Sequence, residues 1–235
     1  MLALVLSGGG LFGAWQAGAW SVLAKRVTPD LVVGASVGSL NGYLIASGAE
    51  PEKLREMWLD PALGRFQDLA SNIRRMMAQH NPKIPFAVTA TELPRMKPRI
   101  FRGPEITWQH LAASCALPFA LPQVRIGSHW YSDGGLLGAL PLWAAAELGA
   151  TRMIGLQALP QSPSWWLHQF VRAFRGVAGH NPPVPPGIEV LEIRPGRWLG
   201  SVRDTVQWKH DNIERWLNQG AEDAARAVTE KTFSF

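Results

Sequence analysis

The chain has 235 residues, of which 47% are hydrophobic and 17% are charged, and its formal net charge is +5. This composition excludes an intrinsically disordered chain and supplies enough apolar residues for one sizeable core. The single cysteine, Cys115, excludes an internal disulfide, and no apolar stretch is long and uninterrupted enough for a spanning helix. The excess of positive charge favours an anionic partner, but no long Lys/Arg run indicates nucleic acid.

Buried strands and helices alternate along the sequence. The predicted strands are 2–6, 31–35, 86–90, 153–158 and 189–193, and the predicted helices are 12–24, 37–47, 52–59, 106–116, 142–148 and 204–229. Residues 61–85 are less regular and are interpreted as a solvated helix with loops or as a lid. This alternation predicts a single α/β domain over residues 1–235. We expect a three-layer sandwich, with a mainly parallel central sheet flanked by helices.

Glycines cluster between the first predicted strand and the first predicted helix, in Gly8-Gly9-Gly10-Leu11-Phe12-Gly13. Glycine lets the backbone approach a ligand, and the following helix N-terminus adds partial positive charge, so this loop suits an anion. The anion is either a dinucleotide pyrophosphate or the oxyanion of an acyl-transfer intermediate. The dinucleotide interpretation requires an acidic residue at the end of the second strand. The sequence has Ala35-Ser36 there and places Asp30 ahead of that strand.

A second motif, Gly34-Ala35-Ser36-Val37-Gly38, lies between the second predicted strand and the second predicted helix. Gly-x-Ser-x-Gly in this context is typical of a nucleophile elbow, a tight turn that presents the serine hydroxyl at the end of a sheet. The alternative is an ordinary Gly/Ser turn, because the bare pattern also occurs by chance. Its position between a strand and a helix favours Ser36 as the nucleophile of an acyl hydrolase.

The third motif, Asp133-Gly134-Gly135, is typical of a turn when it is taken alone. A serine nucleophile needs a neighbouring base, and His168, His180 and His210 all follow Asp133, as in the chain order Ser–Asp–His of α/β-hydrolases. None of these histidines stands beside glycine at the end of a predicted strand. A carboxylate within hydrogen-bonding reach can take the proton directly, so Asp133 is the alternative base.

The three motifs together resemble those of the patatin-like phospholipases, in their single-domain bacterial form. That family opens with a strand and a Gly-Gly-Gly-x-x-Gly loop, which Gly8 to Gly13 match. Its nucleophile lies in Gly-x-Ser-x-Gly, matched at Ser36, and its base is the Asp of an Asp-Gly-Gly turn, matched at Asp133. The stretch Ala113-Ser114-Cys115-Ala116-Leu117-Pro118-Phe119 is similar to the family segment that precedes this Asp.

The resemblance is strongest over residues 2–58 and 101–158, and it implies a Ser–Asp catalytic dyad without a catalytic histidine, metal or organic cofactor. It implies that Ser36 is acylated, that Asp133 takes its proton and later activates water, and that the amides of Gly8–Gly10 form the oxyanion hole. The glycines that would support these motifs are Gly13, Gly34, Gly38, Gly134 and Gly135. The implied activity is hydrolysis of lipid acyl esters, of the phospholipase A or esterase type.

Two departures from the family pattern bear on this function. Phe12 stands where the family often has Lys or Arg, which removes a cationic contact with the substrate. Gly138-Ala139 stands where Asn residues often follow the Asp turn, which predicts weaker support for that loop. These departures favour an inactive lipid-binding relative as an alternative, and the Gly-x-Gly-x-x-Gly pattern keeps a dinucleotide-binding oxidoreductase as a more distant one.

Residues 160–187 form an insertion rich in Trp and Pro. A helix over residues 164–175 would align aromatic side chains beside basic ones, which is typical of an interfacial membrane helix; packing on the sheet is the alternative. The residues predicted to contact a membrane are Trp165, Trp166, Phe170, Arg172 and Arg175. Since no signal peptide is recognisable, we expect a cytoplasmic protein with a lipid or acyl-ester substrate, peripheral contact with membranes and no nucleic-acid partner.

Overall fold

The computed structural model describes residues 1–64, 68–118, 120–159 and 181–230. The strands are β1 (Leu2–Leu6), β2 (Leu31–Ala35), β3 (Phe86–Leu93), β4 (Lys97–Arg102), β5 (Val124–Ile126), β6 (His129–Ser132), β7 (Arg152–Leu156) and β8 (Glu189–Ile193). The α-helices are α1 (Gly13–Leu23), α2 (Val37–Ala46), α3 (Pro51–Leu59), α4 (Leu69–Gln79), α5 (Trp108–Ser114), α6 (Leu142–Glu147) and α7 (His210–Glu230).

All eight strands of the described residues belong to one sheet. Strands β3, β2, β1, β7 and β8 are adjacent in this order and parallel to one another, whereas β4, β5 and β6 are antiparallel additions. The central strands β1 and β2 are continuous apolar runs because both of their faces are covered. The predicted mainly parallel sheet is therefore confirmed.

Helices cover both faces of this sheet. Alternate side chains of β1 point to opposite faces: Leu4 and Leu6 join a large core cluster with α1, α2 and α7, whereas Ala3 and Val5 join a smaller cluster with Trp143 of α6. Three layers result, as predicted. No helix in the four described ranges is long and apolar enough to cross a membrane.

Strand β6 continues the sheet beyond the end of β2. Thr89 of β3 is level with Ala35, the last residue of β2, and Thr91 of β3 is level with Ser132 of β6. Since β4 occupies the other edge of β3 along this stretch, β2 and β6 lie on the same edge of β3. The antiparallel β6 therefore runs toward the end of β2 and directs the residue after Ser132 at Ser36.

The largest differences from the predicted elements lie outside the central strands. Residues 61–85 contain the regular helix α4, and β3 is extended beyond residue 90 to pair with β4 and β6. The predicted helix 204–229 begins only at His210, because Asp204 instead accepts the amide hydrogen of Ser201 at 2.8 Å in a separate short 3-10 helix. Residues 160–180, including the predicted interfacial helix, lie outside the described residues.

Candidate active site

Ser36 occupies a strained turn between β2 and α2. Its φ of 52° and ψ of −131° lie where residues other than glycine are uncommon, and such strain is typical of a nucleophile elbow. The turn requires its flanking glycines, because a Cβ on Gly38 would lie 2.5 Å from the carbonyl oxygens of Leu6 and Ser7, and one on Gly34 would overlap Gly38.

A buried serine on α5 holds the backbone of the nucleophile. The Ser36 amide donates a 2.8 Å hydrogen bond to Oγ of Ser114, which is inaccessible to solvent. The carbonyl of Ser114 in turn accepts the amide of Gly134 at 3.0 Å. Ser114 therefore connects the elbow with the Asp-Gly-Gly turn. Ser114 lies outside the three motifs, and its place in the family-like segment that precedes Asp133 is the only sequence signal for this role.

The turn that carries Asp133 is fixed by its backbone and by its neighbours. The Asp133 amide donates to the carbonyl of Ala116 at 3.1 Å, and the Asp133 carbonyl accepts the hydroxyl of Thr91 at 2.9 Å. Gly134 has to be glycine, since a Cβ there would overlap the carbonyl of Thr89. These contacts hold the Asp133 side chain in one orientation.

Asp133 is only 5% exposed, and its Oδ1 accepts the Gly135 amide at 2.8 Å. Burial raises the pKa of Asp133 to about 6, and hydrogen bonding from the Ser36 side chain and the Gly135 amide opposes this rise. An aspartate with this pKa is ionised at neutral pH but basic enough to accept a proton. The structure thus brings the predicted nucleophile and base together.

The glycine loop lies directly beside the nucleophile. A Cβ on Gly8 would lie 3.2 Å from Cβ of Ser36, so no larger residue fits without displacing the elbow. The Gly8 amide, however, donates to the carbonyl of Ala139 at 2.9 Å. It is therefore not a free donor in this structure, which departs from the predicted set of three oxyanion amides, and Gly8 instead connects the loop with the segment that follows Asp133.

Other amides at the same place have no acceptor within the part of the chain that the structure describes. These belong to Gly9 and Gly10 of the loop, and to Val37 at the start of α2. The amide that follows a nucleophilic serine commonly contributes to an oxyanion hole, and the ten-residue helix α2 adds its positive end at this point. The sequence-based set of donors did not include Val37, although its position directly after Ser36 in the Gly-x-Ser-x-Gly motif is the signal that could have found it.

Both departures from the family pattern have structural explanations. Phe12 points into the core, is 1% exposed and makes an edge-to-face contact with Trp216 at 4.9 Å between ring centres. Its side chain therefore faces away from the glycine loop. In Gly138-Ala139, the Gly138 amide donates to Gly135 at 3.1 Å and the Ala139 carbonyl accepts from Gly8, so this stretch joins the Asp turn to the oxyanion loop.

Among the described residues, neither His210 nor Asp30 contacts Ser36. His210 begins α7, where it contacts Trp208 and lies 3.8 Å from the Asp211 carboxylate, whereas His168 and His180 lie outside the described residues. Asp30, the acid that precedes the second strand, accepts the Leu2 amide at 2.8 Å at the opposite, amino-terminal end of the parallel strands. It cannot serve as the ribose-binding acid of a dinucleotide site at the glycine loop.

Comparison with known proteins agrees with this arrangement. The sequence model for patatin-like phospholipases matches residues 4–104 and 79–146, which together make up more than half of the chain. The chain belongs to the patatin-like phospholipase family. The family prediction from the three motifs is thereby confirmed.

The relatives of this patatin-like chain are distant and much longer. Patatin-like phospholipase domain-containing protein 6 of Homo sapiens is 26% identical over 202 residues, which cover 71% of this chain and 15% of that protein. Protein 7 of the same series, from Rattus norvegicus, is 24% identical over 180 residues, covering 66% of this chain and 13% of that protein. The chain thus spans about one seventh of the curated relatives it matches.

A solved structure shares the fold at low sequence identity. The crystal structure of VipD from Legionella pneumophila superposes with a TM-score of 0.57 and 13% identity, covering 97% of this chain and 66% of that chain. At this identity the similarity shows the fold alone. It extends over almost the whole chain, beyond the residues that the family's sequence model matches.

Proposed function

We propose that this protein is a lipid acyl hydrolase that cleaves acyl esters through Ser36 and Asp133. The observation that carries the proposal is the pairing of a serine at φ 52° on a strand–helix turn with a buried aspartate of raised pKa. Family membership supports a lipid as the substrate. The glycine loop beside Ser36 supports acyl transfer, because its amides are suited to an oxyanion.

In the proposed first step, the Asp133 carboxylate accepts the proton of the Ser36 hydroxyl as Oγ attacks the ester carbonyl carbon. The carbonyl π electrons move to oxygen, and the amides of Gly9, Gly10 and Val37 stabilise that negative charge. When the tetrahedral intermediate collapses, the carbon–oxygen bond to the alcohol breaks. Asp133 returns its proton to the departing alkoxide, and an acyl-serine is left.

The second step repeats the same roles with water. Asp133 accepts a proton from a water molecule as its oxygen attacks the acyl carbon, and the same amides stabilise the second oxyanion. When this intermediate collapses, the bond between the acyl carbon and Oγ of Ser36 breaks, Asp133 returns its proton to Oγ, and the fatty acid is released. Ser114 contributes as a positioning residue, because its Oγ fixes the amide of the nucleophile at 2.8 Å.

Hydrolysis of p-nitrophenyl acyl esters of several chain lengths tests this proposal. We expect Ser36→Ala and Asp133→Asn each to lower kcat by at least about a thousandfold, because the members of such a unit act together. Labelling by a fluorophosphonate probe reports the nucleophile separately, and it should be lost in Ser36→Ala. The matched control is His210→Ala, which removes an exposed imidazole and should leave kcat unchanged.

Three results would contradict the proposal. Full activity in Ser36→Ala would exclude Ser36 as the nucleophile. Loss of activity in His210→Ala with retention in Asp133→Asn would replace the dyad by a histidine-based triad. A wild-type protein that binds lipid but neither hydrolyses esters nor takes up the probe would be an inactive lipid-binding relative.

A further inference from the structure

Two of the tryptophans in the described residues are more exposed than the others there. Nine of the eleven tryptophans lie in the described residues. Trp130 and Trp198 are 50% and 58% exposed, whereas the remaining seven are buried or half-buried. An indole ring combines a large apolar area with a polar N–H, which favours interfaces between apolar and aqueous surroundings. These two side chains therefore indicate a contact surface.

Trp130 lies beyond the carboxyl ends of the parallel strands, at the end of the sheet that carries Ser36, and Trp198 lies in the loop that leaves this end and runs beside α7. Trp130 of β6 is level with Leu93 of β3, four residues past the level at which β2 ends. At about 3.3 Å per residue, this places it some 13 Å beyond that end. Trp198 follows the last residue of β8, Ile193, on the far side of the sheet.

Exposed aliphatic side chains connect this edge with the site. Val202 and Val206 are 38% and 45% exposed, and between them the carbonyl of Thr205 lies directly against Gly10 of the glycine loop. Leu117 is 44% exposed and follows Ala116, the residue whose carbonyl holds the Asp133 amide. Exposed apolar side chains therefore lie beside the glycine loop on one side of the site and beside the Asp133 turn on the other.

The segments that carry these side chains are rich in basic residues, although the exposed carboxylates of Asp211, Glu214 and Glu222 on α7 lie beside Arg197. Residues 92–99, 124–130 and 194–209 contain eight basic residues, all of them exposed, and only two acidic residues, neither of them exposed. The basic residues are Arg95, Lys97, Arg99, Arg125, Arg194, Arg197, Arg203 and Lys209, and the acidic residues are Glu92 and Asp204. Arg99, Arg194 and Arg197 form ion pairs with carboxylates. The other five basic residues form no ion pair with a described residue.

We propose that this edge docks on the surface of an anionic phospholipid bilayer, through residues 92–99, 124–130 and 194–209, here termed the docking edge. Indole rings lie at the level of the lipid headgroups, and basic side chains beside them attract anionic lipids. The proposal rests on the proposed function, because docking in this orientation turns Ser36 toward its lipid. It is independent of the predicted helix 164–175, which contains none of these residues.

Vesicle sedimentation of the full chain tests the docking edge. The chain carries Ser36→Ala so that no lipid is consumed, and the vesicles are phosphatidylcholine alone or phosphatidylcholine mixed with phosphatidylglycerol. We expect tighter binding to the mixed vesicles, weakened by salt. Trp130→Ala and Trp198→Ala should each lower the partition coefficient about tenfold, the factor for losing burial of one large apolar side chain. Arg203→Gln should lower it about fivefold.

Matched controls lie away from the docking edge. Val190→Ser changes an aliphatic residue of β8 that is 37% exposed, and Arg26→Gln removes an exposed charge beyond the opposite end of α1. Both should leave binding unchanged. The proposal would be overturned if the control variants lost as much binding as the tryptophan variants, or if the protein bound neutral and anionic vesicles equally. Unchanged binding of a variant that carries both Trp130→Ala and Trp198→Ala would also overturn it. So would light scattering that shows a wild-type dimer and a Trp198→Ala monomer, because the surface would then bind a second copy.

Failure of docking and failure of the proposed function give different results. With Ser36 present, Trp198→Ala should hydrolyse a short, soluble p-nitrophenyl ester at the wild-type rate but lose activity on mixed vesicles. Vesicle binding without any ester hydrolysis would leave docking standing and exclude the hydrolase. Soluble-ester hydrolysis with no binding to either vesicle would retain the hydrolase and exclude the docking edge.

Discussion

The carboxyl group of Asp133 is buried and forms no ion pair with any residue in the described ranges. Burial raises its pKa to about 6, whereas an unfolded chain gives about 3.9 for an aspartate. The folded state therefore binds this proton more tightly than the unfolded state does. The stability that the group supplies is fully present below pH 4 and is lost as the pH rises through 6. The proposed function requires the ionised form, so activity and stability are expected to be opposed at this residue.

The titration of Asp133 should therefore appear with opposite signs in two measurements. We expect kcat/KM for a soluble ester to fall about tenfold per pH unit below pH 6, because the base becomes protonated. We expect the free energy of unfolding in urea to fall by about 3 kcal/mol between pH 4 and pH 8, since two pKa units correspond to that energy.

The control for this prediction is Asp133→Asn, which cannot ionise but retains an acceptor for the Gly135 amide. Its stability should lack the Asp133 contribution to the pH dependence and should exceed that of the wild type at pH 8, although we expect the variant to be inactive. A wild-type activity profile that is flat down to pH 5 would show that Asp133 is not the base, or that its pKa is not raised.

At this scale, the sequence predicts the residues whose chemistry depends on a side chain. Ser36 and Asp133 lie in motifs with a recognisable spacing, and the structure brings them together. The backbone donors and acceptors around them could not be predicted, because any residue type supplies an amide or a carbonyl. The bond from Gly8 to Ala139 is of this kind, and only the fold brings its two ends together.

At the scale of secondary-structure elements, the pairing of α1 with α7 depends on two glycines. A Cβ on Gly18 would overlap the backbone of Leu217, and a Cβ on Gly220 would overlap the carbonyl of Trp15. The two helix backbones are therefore closer together than any side chain allows. This packing places Phe12 against Trp216 and so supports the start of α1, immediately after the glycine loop.

We expect Gly220→Ala to destabilise the protein by about 3 kcal/mol, because the added methyl forces the helices apart. The sign of the change in the free energy of unfolding is informative, since alanine in a helix is otherwise favoured over glycine by about 1 kcal/mol. Urea unfolding measures the effect. Asn218→Ala, on the exposed side of the same helix, should be neutral or slightly stabilising, and equal behaviour of the two variants would argue against the close approach.

The elements predicted best from the sequence are those buried on both faces. Strands β1 and β2 have the predicted bounds. A short, continuous apolar run that is followed by a glycine-rich turn is typical of a strand buried on both faces, and few other structures fit this pattern. Strand β4 was missed because its sequence, Lys97–Arg102, is basic, contains Pro98 and is half-exposed. It forms only because the extended β3 offers a free edge, which is a property of the whole sheet.

At the scale of the whole molecule, residues distant in sequence meet around Asp223. Its carboxylate, 5% exposed, accepts the Trp15 indole N–H at 2.9 Å and the Gly196 amide at 3.0 Å, and it pairs with Arg226 at 2.9 Å. The first helix, the loop after the last strand and the last helix are thus joined at one point. This supports the prediction of a single domain, which requires the two ends of the chain to unfold together.

The variant Asp223→Ala tests that prediction, because it leaves a buried indole N–H and a backbone amide without acceptors. We expect a loss of about 3 kcal/mol of stability, with one urea transition and faster hydrogen exchange in β1 and β8 as well as in α7. Arg226→Ala removes only the half-exposed partner of the pair and should cost at most about 1 kcal/mol. A cooperative domain unfolds as one unit, so the loss of one buried contact should accelerate hydrogen exchange in all of its core strands. Faster exchange in α7 while β1 stays protected would instead show that the last helix unfolds separately.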